Sequence, residues 1–138
     1  MPAYSGVYLD DVVESQGKPF DLVAQEYPDK DTVAFINAYM SGRTRRSIYE
    51  SQAYVNTMDA RTLWDYFCRT EGFELRDGRT LEGFMPRWIG EFYAYYQWYY
   101  DVSSSELVKR VPVSFLMKTY AGLGGLELEL AVRKIGRM

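Results

Sequence analysis

Apolar residues recur every three or four positions along most of the chain, which is the spacing of one face of an α-helix. Local signals mark where these helices begin and end. Asp59 is a good N-cap and Gly72 provides a stop. Ser103 followed by Glu106 forms a capping box, in which each side chain bonds the backbone N–H of the other residue. The pattern predicts helices over 29–41, 60–70, 86–100, 104–110 and 113–120, with a weaker helical stretch through 48–50.

Three segments have less regular patterns. Residues 1–28 are interrupted by glycines and prolines, which predicts an acidic arm of short helical pieces packed on a main domain of residues 29–138. Asp77-Gly78 favours a type I′ turn and is flanked by the segments 73–76 (FELR) and 79–82 (RTLE), so one small β-hairpin is predicted over 73–82. Residues 126–135 first alternate like a strand but also share a helical face. Good helix formers there favour a helix.

The segment 86–100 is the most distinctive of the predicted helices, because it holds eight aromatic residues. On a helical wheel the rings other than Trp98 occupy one continuous arc, whereas Glu91, Gln97 and small residues occupy the opposite side. We therefore expect this helix to lie in the core. Trp98 is the exception, since it falls on the polar side. There it contacts either another internal element or a partner.

Composition removes several classes of enzyme. The 138-residue chain has 13 Tyr, 7 Phe and 3 Trp but no His, and Cys68 is its one cysteine. Without imidazole, neither a Ser-His-Asp nor a Cys-His mechanism can be assembled. One thiol and no imidazole also exclude the usual structural zinc sites. We expect a non-enzymatic protein without a metal or cofactor.

Charge is unevenly distributed although the net charge is only −3. Residues 1–31 carry seven acids against two lysines. This acidic segment is either a solvated surface or a face for a basic partner. Arg43, Arg45 and Arg46 form the one basic cluster. Three arginines in an acidic protein are too few for nucleic-acid binding, but they suit a partner's carboxylates or a single phosphate.

The sequence predicts neither export nor insertion into a membrane. Its first residues lack the basic and apolar regions of a secretory signal, and its most apolar tract, 92–96, is far shorter than the ~20 residues of a membrane span. Cys68 lies among apolar residues, which is typical of a small buried side chain. A reactive thiol is the alternative, because the positive charge of the neighbouring Arg69 would favour the thiolate. We expect a cytoplasmic protein.

The tract from Phe84 to Tyr100, FMPRWIGEFYAYYQWYY, is continued by related tracts at 104–109 and 112–123. Together they resemble a family of short, aromatic-rich bacterial proteins from Firmicutes and their mobile elements, encoded near toxin–antitoxin or defence-type loci. The resemblance spans about residues 30–138 and leaves out the acidic N-terminus. It implies binding to another protein, and it brings neither an activity nor catalytic residues with it.

These observations predict one mainly α-helical domain, a compact bundle of about six helices with one small β-hairpin. The leading hypothesis is a protein-binding module of the antitoxin, immunity or anti-defence type that occludes a toxin or defence enzyme. Homodimerisation through exposed aromatics is a related alternative. The candidate partner-binding residues are Trp98, Arg43, Arg45, Arg46, Arg87 and Glu91, of which the last two, one helical turn apart, predict a surface ion pair. The alternative function is a small-ligand, nucleotide-like binder that uses stacked rings and an arginine.

Overall fold

The computed structural model describes residues 6–49 and 58–136 and confirms a mainly α-helical fold. A 3₁₀ turn, Gly6–Tyr8, leads into the first helix. The eight helices within the described ranges are α1 (Leu9–Glu26), α2 (Thr32–Met40), α3 (Arg43–Tyr49), α4 (Ala60–Glu71), α5 (Met85–Tyr100), α6 (Ser104–Arg110), α7 (Val113–Leu123) and α8 (Leu128–Ile135). None of these helices has both the length and the apolar character needed to cross a membrane.

Local capping sets several helix ends where the sequence predicts them. The Asp59 carboxylate accepts a hydrogen bond from the Thr62 N–H at 2.8 Å, and Gly72 ends α4 in the left-handed conformation, with φ at 61°. The Ser103 hydroxyl accepts a hydrogen bond from the Glu106 N–H at 3.2 Å and starts α6. These ends were predictable because each cap is made by residues close in the sequence.

The two segments with weaker helical patterns are also helical. The helix favoured over 126–135 is confirmed as α8, and Gly136 follows it with φ at 74°. The stretch through 48–50 falls at the end of α3, and residue 50 lies outside the described residues.

The N-terminal region differs from its prediction. Residues 9–26 form one continuous helix, although Gly17 and Pro19 are residue types that normally weaken or interrupt a helix. Both are buried, as are Phe20 and Val23. The expectation of short pieces is wrong because tertiary packing supplies most of the stability of a helix and outweighs the weak local propensity here. α1 is therefore part of the core.

The hairpin predicted over 73–82 does not form, since no strand is assigned over these residues. Its turn residue Asp77 instead makes a single antiparallel bridge with Lys30, in the loop before α2. The Lys30 ammonium donates to the Asp77 carboxylate at 2.7 Å, which raises the pKa of Lys30 and lowers the pKa of Asp77. Leu81 is buried in the main core, and Phe73 packs against that core. Packing of this segment against the helices is favoured over a hairpin, because an isolated two-stranded hairpin is only marginally stable.

α1 and α5 form the most extensive helix pair in the described part of the chain, and two glycines set how closely they approach. A Cβ built on Gly90 would lie 2.9 Å from the Gly17 Cα and closer still to the Gln16 carbonyl oxygen. A Cβ built on Gly17 would lie 2.9 Å from the Arg87 carbonyl oxygen. A side chain at either position would collide with backbone. The close approach thus explains glycine in two helix interiors, where it costs about 0.5–1 kcal/mol relative to alanine.

The core is largely aromatic. Phe35 is fully buried, and its ring makes edge-to-face contacts with Trp64 and Phe67 at centroid distances of 5.1 and 5.6 Å. Such geometry brings the positive edge of one ring to the negative face of the next. Aromatic contacts therefore join α2 to α4.

The aromatic helix α5 lies in this core, as predicted, and its rings at positions 88, 92, 93 and 96 are buried. The Tyr93 hydroxyl donates to the Val111 carbonyl oxygen, and the Tyr96 hydroxyl donates to the Gly136 carbonyl oxygen, each at 2.6 Å. Burial raises the pKa of Tyr93, because the charged phenolate would lose its hydration. The buried tyrosines of α5 thus satisfy their polar ends on backbone.

Candidate functional site

A hydrogen-bonded polar network lies inside the molecule, where α1, α2, α3 and α5 meet. The Gln16 side-chain oxygen accepts hydrogen bonds from the Tyr39 hydroxyl, at 2.9 Å, and from the Arg45 guanidinium. Arg45 also donates to the Gln97 side-chain oxygen at 2.8 Å. All four side chains are 1–2% exposed. Arg45 therefore joins α3 to α1 and α5 from within, and it does not lie on the surface where a partner could reach it.

The chemistry of this network suits a structural role. Burial raises the pKa of Tyr39, although the nearby charge of Arg45 acts in the opposite direction, so the phenol stays protonated at neutral pH. The other members are two amides and one guanidinium, and none of the four side chains is a carboxylate or an imidazole. The network thus offers hydrogen bonds and no general base.

The three arginines of the basic cluster have separate environments. The Arg43 guanidinium donates to the Thr70 carbonyl oxygen at 2.9 Å, near the end of α4, where a helix dipole favours a cation. Arg45 is internal. Arg46 is exposed and lines a small pocket together with Gln97. The fold therefore does not gather the three side chains on one surface.

The surface ion pair predicted between Arg87 and Glu91 is confirmed, with 3.2 Å between Arg87 Nε and a Glu91 carboxylate oxygen. Arg87 also lies 4.0 Å from Glu14 on α1, and Lys18 lies 3.3 Å from Glu14. Alternating charges thus follow the outer side of the α1–α5 crossing. Each partly exposed pair contributes about 0–1 kcal/mol. The charges of Arg87 and Glu91 are accordingly engaged within the molecule.

Trp98 is partly buried on the side of α5 that the helical wheel assigns to polar residues. Its ring lies against Gly6, where an added Cβ would be 3.3 Å from a ring carbon. It also packs against the small buried cluster of Leu9, Val13 and Ala94. Of the two alternatives left open by the sequence, contact with an internal element is the one observed. The N-terminal turn and the start of α1 cover part of the indole.

A surface of rings and carboxylates adjoins Trp98. The Tyr95 ring lies 6.2 Å from Trp98 and stacks beside Tyr99 at 6.4 Å, and Tyr99 is 39% exposed. The pKa of Tyr95 is raised, first by burial and then mainly by carboxylates at the starts of α1 and α8. These acids are exposed. The aromatic–acidic surface comprises Tyr95, Trp98, Tyr99, Asp10, Glu127 and Glu129.

Most of this surface was missed by sequence reasoning, which singled out Trp98 alone. Tyr95 and Tyr99 were assigned to the core arc, yet Trp98 follows Tyr95 by three positions and Tyr99 follows it by four, which is the spacing of neighbours on a helix surface. That adjacency is a signal of an aromatic stripe along one edge of α5. The carboxylates of Glu127 and Glu129 had no comparable signal, since they reach Tyr95 only through the packing of α8 on α5.

Comparisons of the chain with protein-family models, with curated proteins and with solved structures found no match. The resemblance drawn from residues 84–123 therefore stays a prediction.

The described residues offer little reactive chemistry. No group of three or more His, Cys, Asp or Glu side chains among them could hold a metal ion. Cys68 is half-buried, and burial, followed by the negative charge of Asp65, raises the pKa of its thiol to about 11. The thiol is therefore protonated at neutral pH and is a weak nucleophile. The sequence favours a small buried side chain at position 68, and the structure shows Cys68 only partly buried, with a raised thiol pKa that disfavours the reactive alternative.

Proposed function

We propose that the protein is a non-enzymatic binding module whose aromatic–acidic surface covers a basic segment of a partner protein. One observation carries the proposal: partly exposed rings and exposed carboxylates occur together at one place on the surface. The rings come from the end of α5, and the carboxylates come from the starts of α1 and α8.

The rings of this surface are suited to binding because they are held in place before a partner arrives. Tyr95 and Trp98 pack on the buried cluster between α1 and α5, while Tyr99 keeps 39% of its area exposed. Tyr8, in the turn that contacts Trp98, is 60% exposed. Tyr and Trp provide large contact areas and lose little conformational entropy on binding. Rings that are already ordered reduce that cost further.

The acids indicate the charge of the partner. Asp10, Glu127 and Glu129 are exposed, and each adds negative charge near Tyr95. A Lys or Arg side chain is attracted both to a carboxylate and to the face of an aromatic ring, so a basic segment gains from both halves of the surface. Opposite charge also accelerates the encounter. These effects favour a basic segment over a neutral or acidic one.

The same charges disfavour a homodimer through this surface. In a two-fold symmetric dimer each surface patch meets its own copy, so the carboxylates of one chain would face those of the other. Facing like charges opposes association. Homodimerisation stays a prediction that the chemistry of this surface does not support.

More specifically, we propose that the partner is a toxin or a defence enzyme. The protein would then act as an antitoxin, an immunity protein or an anti-defence inhibitor. Enzymes that act on nucleic acid carry basic surfaces, because affinity for phosphates comes from Lys and Arg. A surface of carboxylates and rings would cover such a basic site. The resemblance of the tract Phe84–Tyr100 supports the same class of partner.

The alternative of a nucleotide-like ligand has less support. Among the described residues, no ring contributes to the pocket beside Arg46, which Gln97 and serines line. The rings of the aromatic–acidic surface, in turn, lie beside carboxylates, which repel a phosphate. Stacking and phosphate binding are therefore not brought together at either place.

Photo-crosslinking of the full chain in cells that naturally produce it tests the proposal. A benzophenone amino acid replaces Tyr99 in one variant and Phe115 in a matched control, because Phe115 is also an exposed ring but lies on α7. We expect capture at position 99 through a segment rich in Lys and Arg, and no capture of that segment at position 115. Adding Glu129→Lys should reduce capture about tenfold by reversing a charge of the surface. Glu82→Lys, an exposed acid outside the surface, should leave capture unchanged.

Several outcomes would contradict the proposal. They are equal capture at the two positions, a captured segment without basic residues, and capture that survives Glu129→Lys. A crosslink to a second copy of this chain would identify a homodimer instead. Inhibition of the captured enzyme by the wild-type protein, weakened by Glu129→Lys, would support the more specific proposal, in which binding covers the active site.

A further inference from the structure

A small polar pocket lies between the start of α3, the last turn of α5 and the segment that leads into α6, and no aromatic residue is among its described lining residues. Its lining includes Gly42, Arg46, Gln97 and the three consecutive serines 103–105, and its volume is about 40 Å³. By that measure each water needs roughly 10–15 Å³, so the space suits about three waters or one compact anion.

The orientation of Gln97 leaves a hydrogen-bond donor for this pocket. Its side-chain oxygen accepts from Arg45 at 2.8 Å, so the amide N–H groups are the remaining polar end of the side chain. Gln97 is 2% exposed, and its amide nitrogen has no hydrogen-bond acceptor among the described residues. A buried donor without an acceptor is uncommon in folded proteins and calls for a bound group. The pocket that Gln97 lines is where such a group can reach it.

The remaining polar groups of the pocket are also donors. Arg46 is exposed and lines the pocket, and the ion pairs among the described residues do not include it. The Ser103 oxygen accepts from the Glu106 N–H and lies 3.5 Å from the Ser105 hydroxyl oxygen, where either hydroxyl can donate to the other, and Ser104 adds a third hydroxyl. A guanidinium, an amide N–H group and hydroxyls form a donor set that matches an oxyanion.

One carboxylate lies close to the pocket, and its negative charge opposes the binding of an anion there. A Glu71 carboxylate oxygen lies near Gly42, and the carboxylate accepts hydrogen bonds from the Arg43 N–H at 3.1 Å and the Thr44 N–H at 3.0 Å. Its charge is thus partly balanced by these backbone groups, and the Arg43 side chain lies on the same side of α4. The cation that lines the pocket itself is Arg46.

From this arrangement we infer that the pocket binds a single phosphoryl group, held by Arg46, the Gln97 amide and the serine hydroxyls. The small volume admits the oxygens of one phosphate and leaves any attached organic part outside. Free inorganic phosphate and the phosphate end of a small ester share this chemistry. The site is separate from the aromatic–acidic surface, so the inference does not depend on the proposed protein partner.

Thermal unfolding and calorimetric titration of the full chain test the inference. The probes are inorganic phosphate and glycerol 3-phosphate, with chloride and acetate as controls at the same pH and ionic strength. We expect saturable binding of phosphate and a rise in Tm of about 3–6 °C at saturation relative to chloride. Acetate, with fewer oxygens, should give a smaller rise. A response to glycerol 3-phosphate that exceeds the response to phosphate would identify an ester as the better ligand.

Two variants locate the binding. Arg46→Gln removes the exposed cation and should abolish the phosphate-dependent shift, whereas the matched Arg79→Gln, at an exposed arginine outside the pocket, should retain it. Gln97→Glu keeps an oxygen for Arg45 but replaces the amide donor with a second acceptor. It should therefore fold at least as stably as the wild type and no longer respond to phosphate.

Equal Tm values in phosphate and chloride would mean that the pocket holds only water and would overturn the inference. An unchanged phosphate shift in Arg46→Gln, or in folded Gln97→Glu, would place the anion elsewhere and overturn it equally. If Gln97→Glu fails to fold, the comparison of Arg46→Gln with Arg79→Gln still decides, because both side chains are exposed.

Discussion

Phe92 and Tyr99 lie two helical turns apart on α5, yet Phe92 is fully buried and Tyr99 is 39% exposed. The stretch of α5 around Phe92 belongs to the hydrophobic core, where tyrosine hydroxyls donate to backbone carbonyls. The C-terminal end of α5, which contains Tyr99, lies beside the carboxylates of α1 and α8. One helix therefore places the same residue types in two different environments. Abundance of aromatic residues alone does not indicate a binding surface, and the neighbouring polar groups make the distinction.

The largest expected change in the free energy of unfolding comes from truncating the buried ring, and truncation of the exposed ring is its control. Phe92→Ala removes a fully buried ring and should lower the free energy of unfolding by about 3–5 kcal/mol, because it leaves a cavity. Tyr99→Ala should lower it by less than about 1 kcal/mol, since part of that ring already meets water. Urea unfolding followed by circular dichroism measures both. If the two substitutions cost the same, Tyr99 belongs to the core and the comparison fails.

The next largest effect separates two neighbouring arginines. Arg45→Met should lower the free energy of unfolding by about 2–4 kcal/mol, because it leaves the buried Gln97 side-chain oxygen without the Arg45 donor. Arg46→Met, one position along the chain, should change the free energy of unfolding by less than about 0.5 kcal/mol, because Arg46 is exposed. The same urea titrations compare them. Equal losses would show that Arg46 also has a structural role.

The close approach of α1 and α5 can be tested by adding one methyl group. Gly90→Ala should destabilise the protein by about 1–3 kcal/mol, because the new Cβ meets the backbone of α1. Gly122→Ala, in α7, should instead stabilise it by about 0.5–1 kcal/mol, since nothing lies within 4 Å of the added carbon. Thermal unfolding gives both values. A stabilising Gly90→Ala would mean that the helices can separate at no cost.

Alkaline pH should reveal the buried phenols. Burial raises the pKa of Tyr39 and of Tyr93 above the ordinary value of 10.0. The folded state therefore holds these protons more tightly, so the stability is complete below pH 10 and falls as the pH rises above it. Each group contributes a slope of about 1.4 kcal/mol per pH unit. Tyr93→Phe should reduce the slope measured by urea unfolding above pH 10, and an unchanged slope would argue against burial of the phenol.

The parts of the fold that could be predicted depend on residues close in the sequence. Asp59 and Ser103 cap helices through backbone N–H groups three positions away, and the burial of most α5 rings follows from their helical spacing. The continuity of α1 could not be predicted, because Gly17 and Pro19 oppose a helix locally and are accommodated only by packing against α5. The hairpin over 73–82 failed for the complementary reason, since its turn residues pair elsewhere.

The candidate sites were predictable only in part. Trp98 was identified as unusual from its position on the wheel, and the ion pair between Arg87 and Glu91 followed from their spacing. The burial of Arg45 could not be predicted from the sequence. Nothing in the short basic cluster indicates which of its three arginines contacts Gln16 on another helix. Nor could spacing show that Gln97 would be buried and line a pocket.

The sequence by itself determined the helical class, the caps of its better-marked helices, the central role of α5 and the absence of imidazole chemistry, because these follow from composition and from neighbours a few residues apart. Only the tertiary structure decided that α1 enters the core and that Arg45 is buried. It also decided that acids near residue 128 stand beside Tyr95. The physical reason is that these features arise where distant parts of the chain exclude water together, and local periodicity carries no record of which surfaces meet.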